Sequence, residues 1–168
     1  MKLPFSLSLT FVLLSFLAAC GGDNYRRATP TELGESTFLA LKNNDARGFR
    51  SLSMEEDDID FVANTLEKTK PGMGERYRKE MEETMPKMNE LINVNFEKLR
   101  SGEGKWEIDW EGAVYRGTDV SMQRKEEGSG LEVAMIKIFF DANGEKYEIY
   151  CDDESAKING DWTWGEYL

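Results

Sequence analysis

The sequence predicts an α+β fold, with N-terminal helices packed on a curved antiparallel β-meander of four to six strands. Three observations carry this. From Leu33 to Leu99 apolar residues recur at spacings of three and four, the period of helices. Beyond Lys105 the period changes to two, the signature of strands with one buried face. Between the regimes lies Ser101-Gly102-Glu103-Gly104, a segment that favours neither. Helices followed by strands, without alternation, argue for segregated layers rather than βαβ units. We therefore divide the chain into a leader at residues 1–19, a tether at 20–29 and one domain at 30–168. The domain has a helical half at 30–101 and a sheet half at 105–168.

In the helical half, Thr29-Pro30-Thr31-Glu32 is a start signal. Thr29 is the N-cap, Pro30 occupies the first helical position and Glu32 closes a capping box. Leu33, Thr37, Ala40 and Leu41 share a face, Phe38 stands beside it, and Asn43-Asn44-Asp45 ends the helix. A short helical piece carries Ala46, Phe49 and Leu52. Ser53 to Glu56 reads as a second capping box, opening a helix with Ile59, Val62 and Leu66 on its buried stripe. The crowd of Glu55, Glu56, Asp57, Asp58 and Asp60 offsets the positive end of that helix dipole. It lacks the alternating oxygen ligands of a calcium loop, so no metal is assigned. After Pro71-Gly72 a long stripe runs through Tyr77, Met81, Met85, Met88, Ile92, Phe96 and Leu99. Pro86 lies inside it and predicts a kink or break near Thr84. Met73, Met81, Met85 and Met88 give this helix a deformable apolar surface, read chiefly as core filling.

In the sheet half, Trp106, Ile108 and Trp110 alternate with Glu107, Asp109 and Glu111, which predicts a strand with one acidic face. Gly112 is read as a bulge before Val114-Tyr115. Leu131 to Phe140 is the most apolar run and reads as a central strand. Asp141-Ala142-Asn143-Gly144 and Asn159-Gly160 read as turns, the first leading to a strand ending at Cys151, the second to Trp162 and Trp164.

The N-terminus is more specific. Lys2 precedes an uncharged run from Phe5 to Ala19, shorter than the roughly 20 residues of a membrane span but suited to a secretory signal core. It ends in Leu17-Ala18-Ala19-Cys20, followed by Gly21-Gly22. This stretch resembles the lipobox of bacterial lipoproteins. The resemblance implies cleavage between Ala19 and Cys20, diacylglycerol on the Cys20 thiol and further acylation, palmitate included, of the new amino group. More than one chain gives a stable membrane anchor. An ordinary cleaved signal and a transmembrane anchor are the alternatives. The small residues around Cys20 disfavour the first and the short span the second. By the sorting rule of enterobacteria-like systems, Gly21 rather than Asp after the lipidated Cys directs the protein to the outer membrane, facing the periplasm.

Removing 19 of 168 residues leaves 149, enough for one domain with its own core. Hydrophobic residues at 40%, with four Trp, six Tyr and nine Phe, exclude a disordered tail. The formal charge of −11 becomes −12 once Lys2 is removed, which argues against nucleic acid as a partner. With no histidine the chain lacks the usual general base and the commonest metal ligand, so neither cofactor nor metal is expected. If Cys20 carries lipid, Cys151 has no partner in the chain. It reads as a structural thiol, since Asp152-Asp153-Glu154 disfavours a thiolate.

The layout also resembles the nuclear-transport-factor-2-like, or cystatin-like, superfamily. The likeness rests on Phe38-Leu39-Ala40-Leu41-Lys42-Asn43-Asn44-Asp45, the late strands and Asn159-Gly160-Asp161-Trp162. It implies a cone enclosed by sheet and helices. The reading is a non-enzymatic envelope lipoprotein, held to the membrane through Cys20, that binds an envelope protein or a small apolar ligand. Trp106, Trp110, Trp162 and Trp164 either line the cone or fill the core. Two alternatives stand beside this. One is an isomerase- or dehydratase-like enzyme using Asp109 and Tyr115. The other is an acidic inhibitor or immunity-type protein masking a basic partner. The oligomeric state is left open.

Overall fold

The computed structural model describes residues 25–102, 107–125, 130–150 and 155–165. Among these residues four helices precede five strands: α1 (Pro30–Lys42), α2 (Ala46–Arg50), α3 (Glu56–Thr69), α4 (Met73–Ser101), β1 (Val114–Lys125), β2 (Glu132–Ala142), β3 (Glu145–Tyr150), β4 (Ser155–Ile158) and β5 (Asp161–Thr163). The sheet is antiparallel and curled, and the fold is α+β as the periodicities predict. Among the described residues no helix is long and apolar enough to cross a membrane.

The start of α1 follows its sequence signal at Thr29 and Pro30, while Glu32 closes on Ala28, one residue before the N-cap, so the reciprocal half of the capping box is displaced. Glu32 N–H donates to Thr29 Oγ1 at 3.1 Å, and the Glu32 carboxylate reaches back to Ala28 N–H at 3.0 Å. The start of α3 departs from it. The N-cap is Glu55, whose N–H donates to Asp58 Oδ2 at 3.1 Å. Ser53 is instead buried in an isolated bridge to Trp164, and its hydroxyl has no hydrogen-bond partner among the described residues. The expected break at Pro86 is absent, because α4 runs through it from Met73 to Ser101. Helix packing on both sides carries α4 across the missing donor.

In the sheet, β2 is the central strand. Its alternating burial puts Ala134, Ile136, Ile138, Phe140 and Ala142 on the core side. One edge pairs with β1; the other pairs first with β3 and then with β4. Along this second edge Ile149 pairs with Ile138 and Ser155 with Ala134. On the β1 side the register shifts at Tyr115/Gly117 and Ser121/Arg124, so the bulge expected at Gly112 lies further along the chain. Both Asn-Gly turns are two-residue loops with positive φ throughout: 54° and 78° at Asn143 and Gly144, 53° and 96° at Asn159 and Gly160. These are the primed hairpin turns that match strand twist.

Residues 107–112 do not form the predicted strand. Trp110 N–H bonds to Ile108 C=O, Ala113 N–H to Trp110 C=O, and Gly112 N–H to Asp109 Oδ1, so the segment is folded into turns. Asn143 then clamps it, accepting from Asp109 N–H and donating to Glu107 C=O. Local Asx chemistry outweighs the alternation here.

Tyr25 to Ala28, read from sequence as the end of the tether, are docked on the domain. Trp162 N–H donates to Arg27 C=O at 2.6 Å, and Ser36 Oγ to Arg26 C=O at 2.6 Å. The Tyr25 hydroxyl bonds to Asp45 at 2.9 Å, and burial with that carboxylate pushes its pKa up to about 12.

The main core joins α1, α2, the end of α4, β2 and β5, with Phe38 ringed by Trp110, Tyr115 and Phe140. A second cluster of Met54, Val62, Met81, Met85, Met88 and Ile158 lies under α3 and α4, so three of the four helix methionines named from sequence are core. The two halves meet at β5. Trp164 N–H donates to Leu52 C=O at 3.0 Å, and its indole N–H to Thr37 Oγ1 at 2.9 Å, while Thr37 donates in turn to Leu33 C=O. Removing one partner strands a buried polar group. Thr37→Val and Trp164→Phe should each cost about 1–3 kcal/mol in denaturant unfolding. The double variant should cost clearly less than the sum, because the pair no longer exists to be broken twice.

Candidate functional site

Among the described residues, a groove opens where α3 lies against α4. The close crossing of these helices is set by Gly74: a Cβ there would sit 2.5 Å from Ala63 C=O. The turn between them is held by Glu67, whose carboxylate accepts from Gly72 and Gly74 N–H. Those backbone donors hold its pKa below the ordinary carboxylate value. Further along the pair, the helices leave a cavity of about 490 Å³. A neighbouring one of about 430 Å³ reaches α2, and Glu56, Met85 and Asn89 line both, so the two form one groove.

Its floor is apolar and deformable. Met54 and Met85 are buried, Ile59 is half-buried and Pro86 is exposed on the wall. Its rim is acidic: Glu55, Glu56, Asp57, Asp60 and Glu82 face only Arg50 and Arg78. Arg78 is already committed, with Nε 2.7 Å from Asp60 and Nη2 2.8 Å from Asn64. The rim thus carries excess negative charge beside a methionine floor. Pro86 adds a further feature. It has no N–H to return to the Glu82 carbonyl one turn earlier, so an acceptor in the groove wall lacks its helical donor.

The acidic run was visible in the sequence as helix-dipole compensation, and Asp58 does cap α3. Its neighbours Glu56 and Asp57 meet Met85 only through packing of α3 on α4, which spacing along one helix does not reveal. Among the described residues no cluster of three or more metal-ligating side chains occurs.

The tryptophans lie elsewhere. Trp110, Trp162 and Trp164 are 6%, 2% and 1% exposed and form part of the main core. Trp110 stacks on Phe140 at 5.1 Å and donates its indole N–H to Arg100 C=O at 2.8 Å, with the Arg100 guanidinium over its ring. Trp106, Cys20 and Cys151 lie outside the described residues. Asp109 is exposed and its carboxylate accepts from Gly112 N–H, whereas the Tyr115 hydroxyl is 2.6 Å from Thr118 Oγ1. Burial, opposed by that hydrogen bond, raises the Tyr115 pKa. These two residues are held by different partners.

The chain matches no protein-family model, no curated protein and no solved structure.

Pro86 is a stability cost placed at the groove. Pro86→Ala restores the helical donor and should raise unfolding free energy by about 2 kcal/mol in urea titration. An unchanged or lowered stability would mean that the Glu82 carbonyl is already well satisfied in the native chain.

Proposed function

We propose that this chain is a lipid-anchored envelope protein of non-enzymatic type that captures a cationic, amphipathic segment of a protein partner in the α3–α4 groove. One observation carries the binding part: a methionine floor and a predominantly acidic rim occupy the same concavity. Methionines adapt to varied apolar side chains, and the carboxylates select Lys and Arg around them. The Glu82 carbonyl, deprived of its helical donor by Pro86, would offer an acceptor to the incoming segment. Burial of Trp110, Trp162 and Trp164 favours this groove over an aromatic cone as the binding place. The anchoring part is supported by Leu17-Ala18-Ala19-Cys20 and the apolar run before it. The helix-then-meander order supports the likeness to the nuclear-transport-factor-2-like superfamily. The acidic-inhibitor alternative shares this groove and differs only in what occupation does to the partner.

The anchor is tested by the mass of the membrane-extracted protein. A chain beginning at Cys20 with a lipid-sized addition is expected, and Cys20→Ala should lack both the addition and membrane retention. An unmodified soluble chain would remove this part of the proposal. The groove is tested by calorimetry with a designed peptide of alternating Lys and Leu on helical faces. Binding should weaken with salt, and the double variant E56K/E82K should lose about tenfold or more. The equally charged change E107K/E111K, outside the groove, should leave affinity near its original value. Equal losses in both variants would reduce the effect to net charge and sink the groove.

A further inference from the structure

The chain enters the domain at a rigid point. Tyr25, Arg26, Arg27 and Ala28 are each tied by a hydrogen bond, to Asp45, Ser36, Trp162 and Glu32 respectively. The Tyr25 ring lies directly on α2, since a Cβ on Gly48 would come within 2.1 Å of Tyr25 Cε2. Where residue 25 sits, α2 sits. This short helix carries Arg47 and Arg50, three apart and therefore on neighbouring surface. Both are exposed, as is Arg26 beside Tyr25. None of the three has an ion-pair partner among the described residues. By contrast Arg27 is committed to Ser51 C=O and Asp161, Arg78 to Asp60, and Arg116 to Asp141. The nearby Asp45 carboxylate is spent on Tyr25 and on Gly48 N–H. In a chain of formal charge −11, three uncommitted arginines stand around the point of entry.

We infer that Arg26 and α2 form the membrane-facing surface of the anchored protein, with Arg26, Arg47 and Arg50 contacting the phosphates of anionic lipid headgroups. This rests on lipid attachment at Cys20. Five residue steps separate Cys20 from Tyr25, at most about 18 Å of extended chain. The basic end is therefore always near the bilayer, and thermal motion readily brings it within the screening length of about 8 Å. An anionic leaflet attracts these three guanidiniums and repels the groove carboxylates Glu55, Glu56 and Asp57 that border Arg50, so it selects the arginines over their acidic neighbours as the contact. A phosphate-rich surface suits three separated guanidiniums better than a single anion does, because they share no enclosed pocket.

The test returns the membrane-extracted protein to vesicles of phosphatidylcholine, alone or mixed with phosphatidylglycerol, and follows hydrogen exchange at residues 46–51. Exchange should slow several-fold on the anionic vesicles only. R26Q/R47Q/R50Q should abolish the slowing, and R26K/R47K/R50K should retain it. Equal exchange on both vesicles, or slowing that survives the glutamine variant, overturns the inference. Flotation with pure phosphatidylcholine reads the anchor separately. A protein that fails to float there has lost the anchor reading, and the arginine surface is then judged by flotation on anionic vesicles. Arginine-dependent flotation, reduced about tenfold in the glutamine variant, supports the surface; flotation indifferent to the arginines overturns it.

Discussion

The indole of Trp164 ties the helices to the sheet. The strand before it, β5, is three residues long and among the described residues pairs with the four-residue β4, so strand pairing alone gives it little hold. Three further bonds supply the rest: Trp162 N–H to Arg27 in the entry segment, and, in the helical half, Trp164 N–H to Leu52 and the indole to Thr37 on α1. Thr163 adds its hydroxyl to the same Leu52 carbonyl. These contacts are buried, so each partner is needed to satisfy the other. They also set everything upstream. Docking Arg27 on β5 fixes the entry segment, and fixing Leu52 and Ser53 sets where α3 begins. The groove and the basic end are both downstream of one sheet edge.

What the sequence made legible was local chemistry with a fixed spacing. The Thr29–Glu32 cap, both Asn-Gly turns and the central strand β2 stand where their residues place them, because each depends on neighbours in the chain. Alternation of Trp106, Ile108 and Trp110 misled for the same reason: the Asx turn of Asp109 is also local and outweighed the period. Ser53 looked like a cap until the distant Trp164 claimed its backbone. The docking of Arg26 and Arg27 was invisible, since it is made through their main-chain carbonyls, which every residue possesses. The groove was half legible. Its carboxylates and methionines were both noticed, as a dipole effect and as core, but their meeting is a property of the α3–α4 crossing.

Pro86 shows how such a site differs from plain core. A helix of 29 residues keeps a proline in its interior, at a cost normally large enough to break it. Packing carries the helix through, but packing gives no reason to prefer proline to alanine at an exposed position. The reason proposed is the Glu82 carbonyl, which Pro86 leaves without its helical donor, beside an adaptable floor. Stability spent without structural return at a concave surface is where function is expected to have set the residue.

Charge is arranged along the same path. Arg50 ends α2 and also lines the α2 end of the groove, so the basic surface and the acidic rim share a border. Were the arginines there to neutralise the rim, they would be paired with it as Arg78 is with Asp60. Arg26 and Arg47 are not groove residues, and Arg50 has no ion-pair partner among the described residues. On the proposed tether, an anionic surface would draw these arginines toward it and push the adjoining groove carboxylates away, so the shared border at Arg50 would set how closely the groove's α2 end approaches the bilayer.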